Sequence, residues 1–275
     1  MTGIVDSHVH FWKRDRLDNP WLDDAPATLA SDHLPADLLS GHDVIDALVI
    51  VEADCRADQA LAEAEWFHEL SDLGAPVLAV VAQTRLEADP REQLEALAAL
   101  PLVTGVRRLL QGEPLGFALS HQFVSGIQLL ETFSFSFDLC IRHEQLGEAL
   151  ELVRAAPGVR FALDHFGKPT PVPEEFAEWA DALEALAAEP NVWAKLSGLA
   201  TEAPAERRSF AALQPWLAHT LEVFGPERCM FGSDWPLVTT AVTYAEWVKI
   251  VQEAVPAEHR ERVFSGTARE FYAPR

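Results

Sequence analysis

Short apolar and β-branched runs recur along the chain with few polar interruptions. They are Ile4–Val9, Ala47–Val51, Val77–Ala82, Val103–Leu109, Phe137–Arg142, Arg160–His165, Val192–Ser197 and Met230–Asp234. A half-exposed strand alternates apolar and polar side chains, whereas a parallel strand covered on both faces is apolar nearly throughout, so these eight runs predict buried parallel strands. Between them lie stretches with helical spacing and acidic or Ala-rich faces: Ala57–Leu73, Pro90–Leu100, Glu144–Ala156, Glu174–Glu189, Ala205–Phe224 and Tyr244–Ala254. Parallel strands need crossovers, and eight tilted strands close into a filled cylinder, so the alternation predicts a (β/α)8 TIM barrel. An open doubly wound sheet would carry a Gly-rich turn after its first strand, where this chain reads DSHVHFW.

The 275 residues suit one barrel domain spanning 1–275. No Ser/Gly linker or repeat divides them, and the Pro-rich patch Lys168–Pro173 is short enough to be a loop. Lys and Arg number 21 against 43 Asp and Glu, a net charge of −22, which repels nucleic acid and anionic membranes. The expected partner is a small molecule. Cys55, Cys140 and Cys229 are far apart and share no metal-type spacing. With no signal-peptide layout at the N-terminus and no apolar run of about 20 residues, a reducing, cytoplasmic setting is expected.

Barrel chemistry sits where strands end, and polar residues collect there. The first run ends in Asp6, His8 and His10, the fourth carries Arg107 and Arg108, the fifth ends at Arg142 and His143, the sixth at Asp164 and His165 and the eighth at Ser233 and Asp234, while the seventh carries Lys195. Strand alternation turns His8 and His10 to one side, so both imidazoles can converge on one ion or substrate atom. His-x-His is a weak motif alone. It gains weight because the first and last strands of a closed barrel are neighbours, which brings Asp234 to the same place.

The segments VDSHVHFW, FDLCIRHEQL, FALDHFGKP, VWAKLSGL, ERCMFGSDWP and FSGTAREFY, in this order, resemble the lactonase-like branch of the amidohydrolase superfamily from Ile4 to Tyr272. The resemblance implies a distorted (β/α)8 barrel that hydrolyses small lactones. These are sugar-acid lactones, which would place the protein in carbohydrate catabolism, or carboxylated lactones from aromatic breakdown. Relatives within the superfamily decarboxylate aromatic acids with a bound zinc ion, which is the alternative activity. Two positions depart from the pattern: Glu52 stands where Gln is expected, and Thr267 where Asn is usual.

Opening a lactone needs an activated water, a group that polarises the carbonyl, and a proton for the leaving alkoxide. Asp234 is the expected base, although Ser233-Asp234 before Trp235-Pro236 also reads as a helix start. His8, His10 and His165 stand with Asp234 as catalytic groups or as ligands of one divalent ion, zinc or manganese. The superfamily's binuclear centres draw on a bridging Lys or acid in the fourth strand, where this chain has Arg107; metal-free catalysis is an equal expectation. Arg107, Arg142, Glu52 and Lys195 are candidate substrate contacts, with ion pairing inside the barrel as the alternative. Trp12 and Trp21 are candidate stacking surfaces, or packing. Lys168 is a possible cation at the rim, Arg108 should face away from Arg107, and His143 is a minor candidate. Cys140 reads as inert core.

Overall fold

A computed structural model describes residues 3–273; Met1, Thr2, Pro274 and Arg275, the ends of the unit expected from the sequence, lie outside them. Eight strands form one sheet in chain order, each parallel to the next: β1 (Ile4–Val9), β2 (Ile45–Val51), β3 (Val77–Gln83), β4 (Val103–Arg107), β5 (Ser136–Leu139), β6 (Phe161–Leu163), β7 (Val192–Leu196) and β8 (Cys229–Phe231). A parallel bridge between Val9 and Trp235 brings the two ends of the sheet together. Asp234 N donates to His8 O at 2.8 Å, and His10 N to Trp235 O at 2.7 Å. The seam of this (β/α)8 barrel therefore runs through the residues expected to carry the chemistry.

Side chains alternate between two apolar layers. Leu48, Ile50, Val80, Val106, Phe137 and Leu163 face the surrounding helices. Val5, Val49, Val51, Ala79, Val81, Ala162 and Met230 fill the barrel, against Phe271 and Tyr272 of the chain's last turn. Each strand is followed by helix, among them Ala60–Asp72, Arg91–Ala98, Leu146–Ala155, Pro173–Ala187 and Tyr244–Ala254.

Three boundaries differ from the sequence reading in a way that matters. The fifth, sixth and eighth runs leave the ladder at Leu139, Leu163 and Phe231, short of Arg142, His165 and Asp234. His165 (φ 54°) and Asp234 (φ 63°) are left-handed, and a left-handed residue turns the chain out of a strand. The fourth run likewise ends at Arg107 rather than Leu109. The stretch Ala205–Phe224 is broken, because Ser209 is extended (ψ 154°) and starts the helix Phe210–Phe224 afresh. Among the further helices the longest, His121–Phe133, was masked in the sequence by Gly126 and aromatic residues. That glycine is needed, since a Cβ there would lie 2.1 Å from the Leu86 carbonyl oxygen.

Candidate active site

The first strand supplies two imidazoles to one point because its pairing with β2 is irregular between Asp6 and Val9. Asp6 pins this irregularity, its Oδ1 accepting from His8 N at 3.2 Å and from Ser233 N at 2.8 Å. The Nε2 atoms of His8 and His10 then lie 3.1 Å apart. Asp234 Oδ1 lies 3.4 Å from His10 Nε2 and 3.8 Å from the Nε2 atoms of both His8 and His165. All four residues are at least 95 % buried.

The outer nitrogens decide what faces inward. His10 Nδ1 lies 2.9 Å from the Val51 carbonyl, which only accepts, so Nδ1 carries the proton and Nε2 a lone pair. His8 Nδ1 lies 3.2 Å from Asp164 Oδ1, and a proton on Nδ1 leaves Nε2 free; Arg107 Nη1, a donor, approaches that Nε2 at 3.4 Å. His165 Nδ1 meets Ser197 Oγ at 2.9 Å. Burial pushes His165 down to about 4 and His8 below the ordinary imidazole range, against the pull of Asp234 and Asp164 respectively, so both are neutral at pH 7. Burial alone would raise the Asp234 carboxyl, but in acid, where the imidazoles take up their own protons, the positive charge first of His165 and then of its neighbours outweighs burial and holds it low.

The Nε2 lone pairs of His8 and His10 thus face a buried carboxylate oxygen that has no hydrogen-bond donor. Such a group calls for a cation. Ligands bonded at about 2.0–2.1 Å in tetrahedral geometry stand about 3.3 Å apart, close to the spacings found here. His8, His10 and Asp234 bring two imidazoles and one carboxylate within 4.8 Å of one another, a donor set that fits zinc or manganese, with His165 beside Asp234 and with Asp164 Oδ1 3.2 Å behind His8 Nδ1.

Below this cluster lies a buried ion network. Lys195 Nζ pairs with Asp138 and with Asp164 Oδ1 (3.2 Å) and lies 3.1 Å from His8 Nδ1. Tyr272 Oη donates to both oxygens of Asp138, at 2.9 and 3.0 Å. Arg107 donates from Nε to Glu52 Oε1 (2.6 Å), from Nη2 to Glu52 O (2.8 Å) and from Nη1 to Asp164 Oδ2 (3.2 Å). Glu52 and Lys195 are fully buried in these pairs and do not reach the cleft. A buried lysine beside two carboxylates acts by fixing them and the imidazole they touch.

Above the cluster opens a cleft of about 210 Å³, walled by His10, His165, Asp234 and Arg107 together with other polar and apolar side chains. Trp21 is part of that wall, its Nε1 held by the Ala53 carbonyl at 2.8 Å. Trp12 stands behind it, fully buried, its ring edge-on to Trp21 and its Nε1 bonded to Ser31 O. Arg142 is exposed and outside the wall, because the chain turns away after β5 and uses the Arg142 N–H to bond Gln145 Oε1. His143 meets Glu144 and Glu175 away from the cleft. Arg108 faces opposite to Arg107 and pairs with Glu87 and Glu113. Thr267 bonds the Pro226 carbonyl, far from the cluster. Cys140 lines the cleft but burial pushes its thiol up to about 11, so it stays protonated.

Sequence reasoning passed over Asp164 and Asp138 as site residues. The available signal was a carboxylate inside an apolar strand, which is buried at high cost unless a cation meets it. It also passed over Asp54 and Gln111, loop residues with no such signal.

The model of the family described as amidohydrolase matches residues 5–273. An L-fucono-1,5-lactonase from Burkholderia multivorans is 32 % identical over 286 residues, covering 98 % of this chain and 95 % of the relative. A second L-fucono-1,5-lactonase, from Burkholderia ambifaria, is 29 % identical over 99 % of this chain and 96 % of its own. Among solved structures, an amidohydrolase from Burkholderia multivorans with bound zinc superposes with a TM-score of 0.86 at 30 % identity, covering 99 % of this chain and all of the other. Fold and sequence agree over almost the whole length of the barrel, and the chain belongs to the amidohydrolase family.

Proposed function

We propose that this protein is a lactonase, a hydrolase that opens a sugar-acid lactone in the cleft, with Asp234 taking a proton from the attacking water. The observation that carries the reading is Asp234 Oδ1, buried, without a donor, and within 3.8 Å of three imidazole Nε2 atoms. The similarity to two L-fucono-1,5-lactonases over almost the whole chain supports the substrate class.

Asp234 is ionised at neutral pH and ready to accept a proton. A carboxylate held below its ordinary range is a weak base and, once protonated, a strong acid. As water attacks the carbonyl carbon and the ring C–O bond breaks, the proton on Asp234 passes to the leaving alkoxide. Arg107, clamped by Glu52 and Asp164, keeps one N–H, the second on Nη2, beside the cleft for the developing oxyanion. The residues that would hold a divalent ion are His8, His10, His165 and Asp234, and such an ion supplies Lewis acidity toward the lactone carbonyl.

A carboxylated lactone fits less well, because Arg142 lies outside the cleft and Arg107 is already paired with Glu52 and Asp164. The test is hydrolysis of a panel of aldonolactones beside carboxylated lactones and an aromatic acid. Turnover of an aldonolactone in preference to the others is expected. Preference for a carboxylated lactone, or release of carbon dioxide from the aromatic acid, overturns the reading.

A further inference from the structure

Three polar side chains of the cleft wall, Asp54, Gln111 and Lys168, have no part in the mechanism above. Lys168 closes a run of four left-handed residues, His165, Phe166, Gly167 and Lys168 (φ 54°, 59°, 72° and 50°), and its N–H returns to His165 O at 2.7 Å. This turn sends the lysine back over the site instead of out to solvent. Its Nζ donates to Gln111 Oε1 at 2.5 Å, with Glu202 Oε1 3.8 Å away. An ammonium has three N–H groups, and the Gln111 amide, its oxygen taken by Lys168, keeps two more.

Asp54 is positioned from the other side by the residue that departs from the family pattern. Glu52 Oε1 holds Arg107, while Glu52 Oε2 accepts the Asp54 N–H at 2.7 Å and fixes it in a left-handed conformation (φ 51°). The only side-chain donor near the Asp54 carboxylate among the described residues is Gln83 Nε2, at 3.5 Å. Its lone pairs are therefore open to the cleft.

A hydroxyl both donates and accepts, so a wall that offers paired N–H donors and a carboxylate acceptor matches vicinal hydroxyls. Trp21 and Leu237 supply apolar surface for the C–H face of a ring. We infer that Asp54 and the Lys168–Gln111 pair bind the ring hydroxyls of the substrate and select a polyhydroxylated lactone over an unsubstituted one. The inference rests on the proposed lactonase activity and adds to it the residues that set specificity.

The test compares a six-carbon aldonolactone with δ-valerolactone, which has the ring and no hydroxyls, in the wild type, Asp54→Gly, Lys168→Met and Gln111→Leu. Glycine keeps the left-handed backbone at position 54. The wild type's preference in kcat/KM for the hydroxylated lactone should fall about tenfold or more in each variant, the worth of one lost hydrogen bond to a charged or well-placed group. Loss of both substrates in equal proportion, or no loss, overturns the inference. A non-hydrolysable hexonolactam titrated by calorimetry gives a readout independent of turnover: its affinity should drop about tenfold in Asp54→Gly and Lys168→Met, and unchanged affinity overturns the inference. If the wild type opens neither lactone, the proposed activity fails, and the lactam titration still decides the role of these residues.

Discussion

His8 and His10 present their Nε2 atoms to each other at 3.1 Å, with the Nδ1 of each turned to an acceptor, Asp164 or the Val51 carbonyl. With both Nδ1 atoms so engaged the Nε2 lone pairs oppose each other, an unfavourable contact unless a cation or a shared proton lies between them. The expected outcome is that chelator-treated protein takes up one zinc or manganese ion per chain and gains thermal stability, because an ion that binds only the folded state stabilises it by mass action. His10→Ala should abolish the stoichiometric uptake. Elemental analysis and thermal melts check this; a chelated protein that binds no ion at micromolar concentration sinks the assignment.

Asp234→Asn preserves shape and removes proton acceptance. Turnover should fall about a hundredfold or more, the usual worth of a general base. Near-normal turnover would remove Asp234 from the mechanism.

The barrel was legible in the sequence because parallel strands covered on both faces leave unbroken apolar runs, and His8, His10, His165 and Asp234 were legible because each stands at the end of one. What was not legible is which way a residue faces once the strand ends. Arg142 and Arg107 look alike in sequence, each at or near the end of an apolar run. The chain leaves the ladder after Leu139, which carries Arg142 outward, whereas Arg107 is still in register with Asp138 on the neighbouring strand and points inside. Lys195 had two possible faces, and only the carboxylates of Asp138 and Asp164, from strands far away in sequence, show which one it takes. Trp12 and Trp21 share a loop, yet burial of Trp12 against Ser31 leaves Trp21 alone at the wall.

Lys195→Met removes the cation from between Asp138 and Asp164 and leaves two buried carboxylates facing a fixed His8. Breaking a buried ion pair from one side costs about 3–5 kcal/mol, so the variant should lose much of its stability. Urea denaturation of the two proteins measures it, and a loss below about 1 kcal/mol, the range of exposed pairs, would show that the network contributes little.

Gly198 packs against the His165 ring so closely that a Cβ would lie 2.5 Å from Nδ1, and its φ of 67° is itself left-handed. Gly198→Ala should therefore displace His165 and its bond to Ser197. The expected result is a stability loss of about 1 kcal/mol or more from the backbone together with a fall in turnover. Unchanged turnover would mean that the His165 position is not needed.

Glu63 lies fully buried behind the cleft loop, accepting from Ala53 N at 3.1 Å with its second oxygen unpartnered. Burial, reinforced by the charge of Glu52, pushes its carboxyl up to about 8 from an ordinary 4.5. Because the folded state holds this proton more tightly than the unfolded chain, the stabilisation is complete below about pH 4.5 and is lost as pH rises toward 8. Glu63→Gln keeps the acceptor for Ala53 and cannot ionise. Across pH 5 to 9 the melting temperature of the variant should rise relative to the wild type and level off above pH 8, where Glu63 has given up its proton. Parallel melting curves over that range would show that Glu63 titrates like an exposed carboxylate, and its burial would then cost the fold nothing that depends on pH.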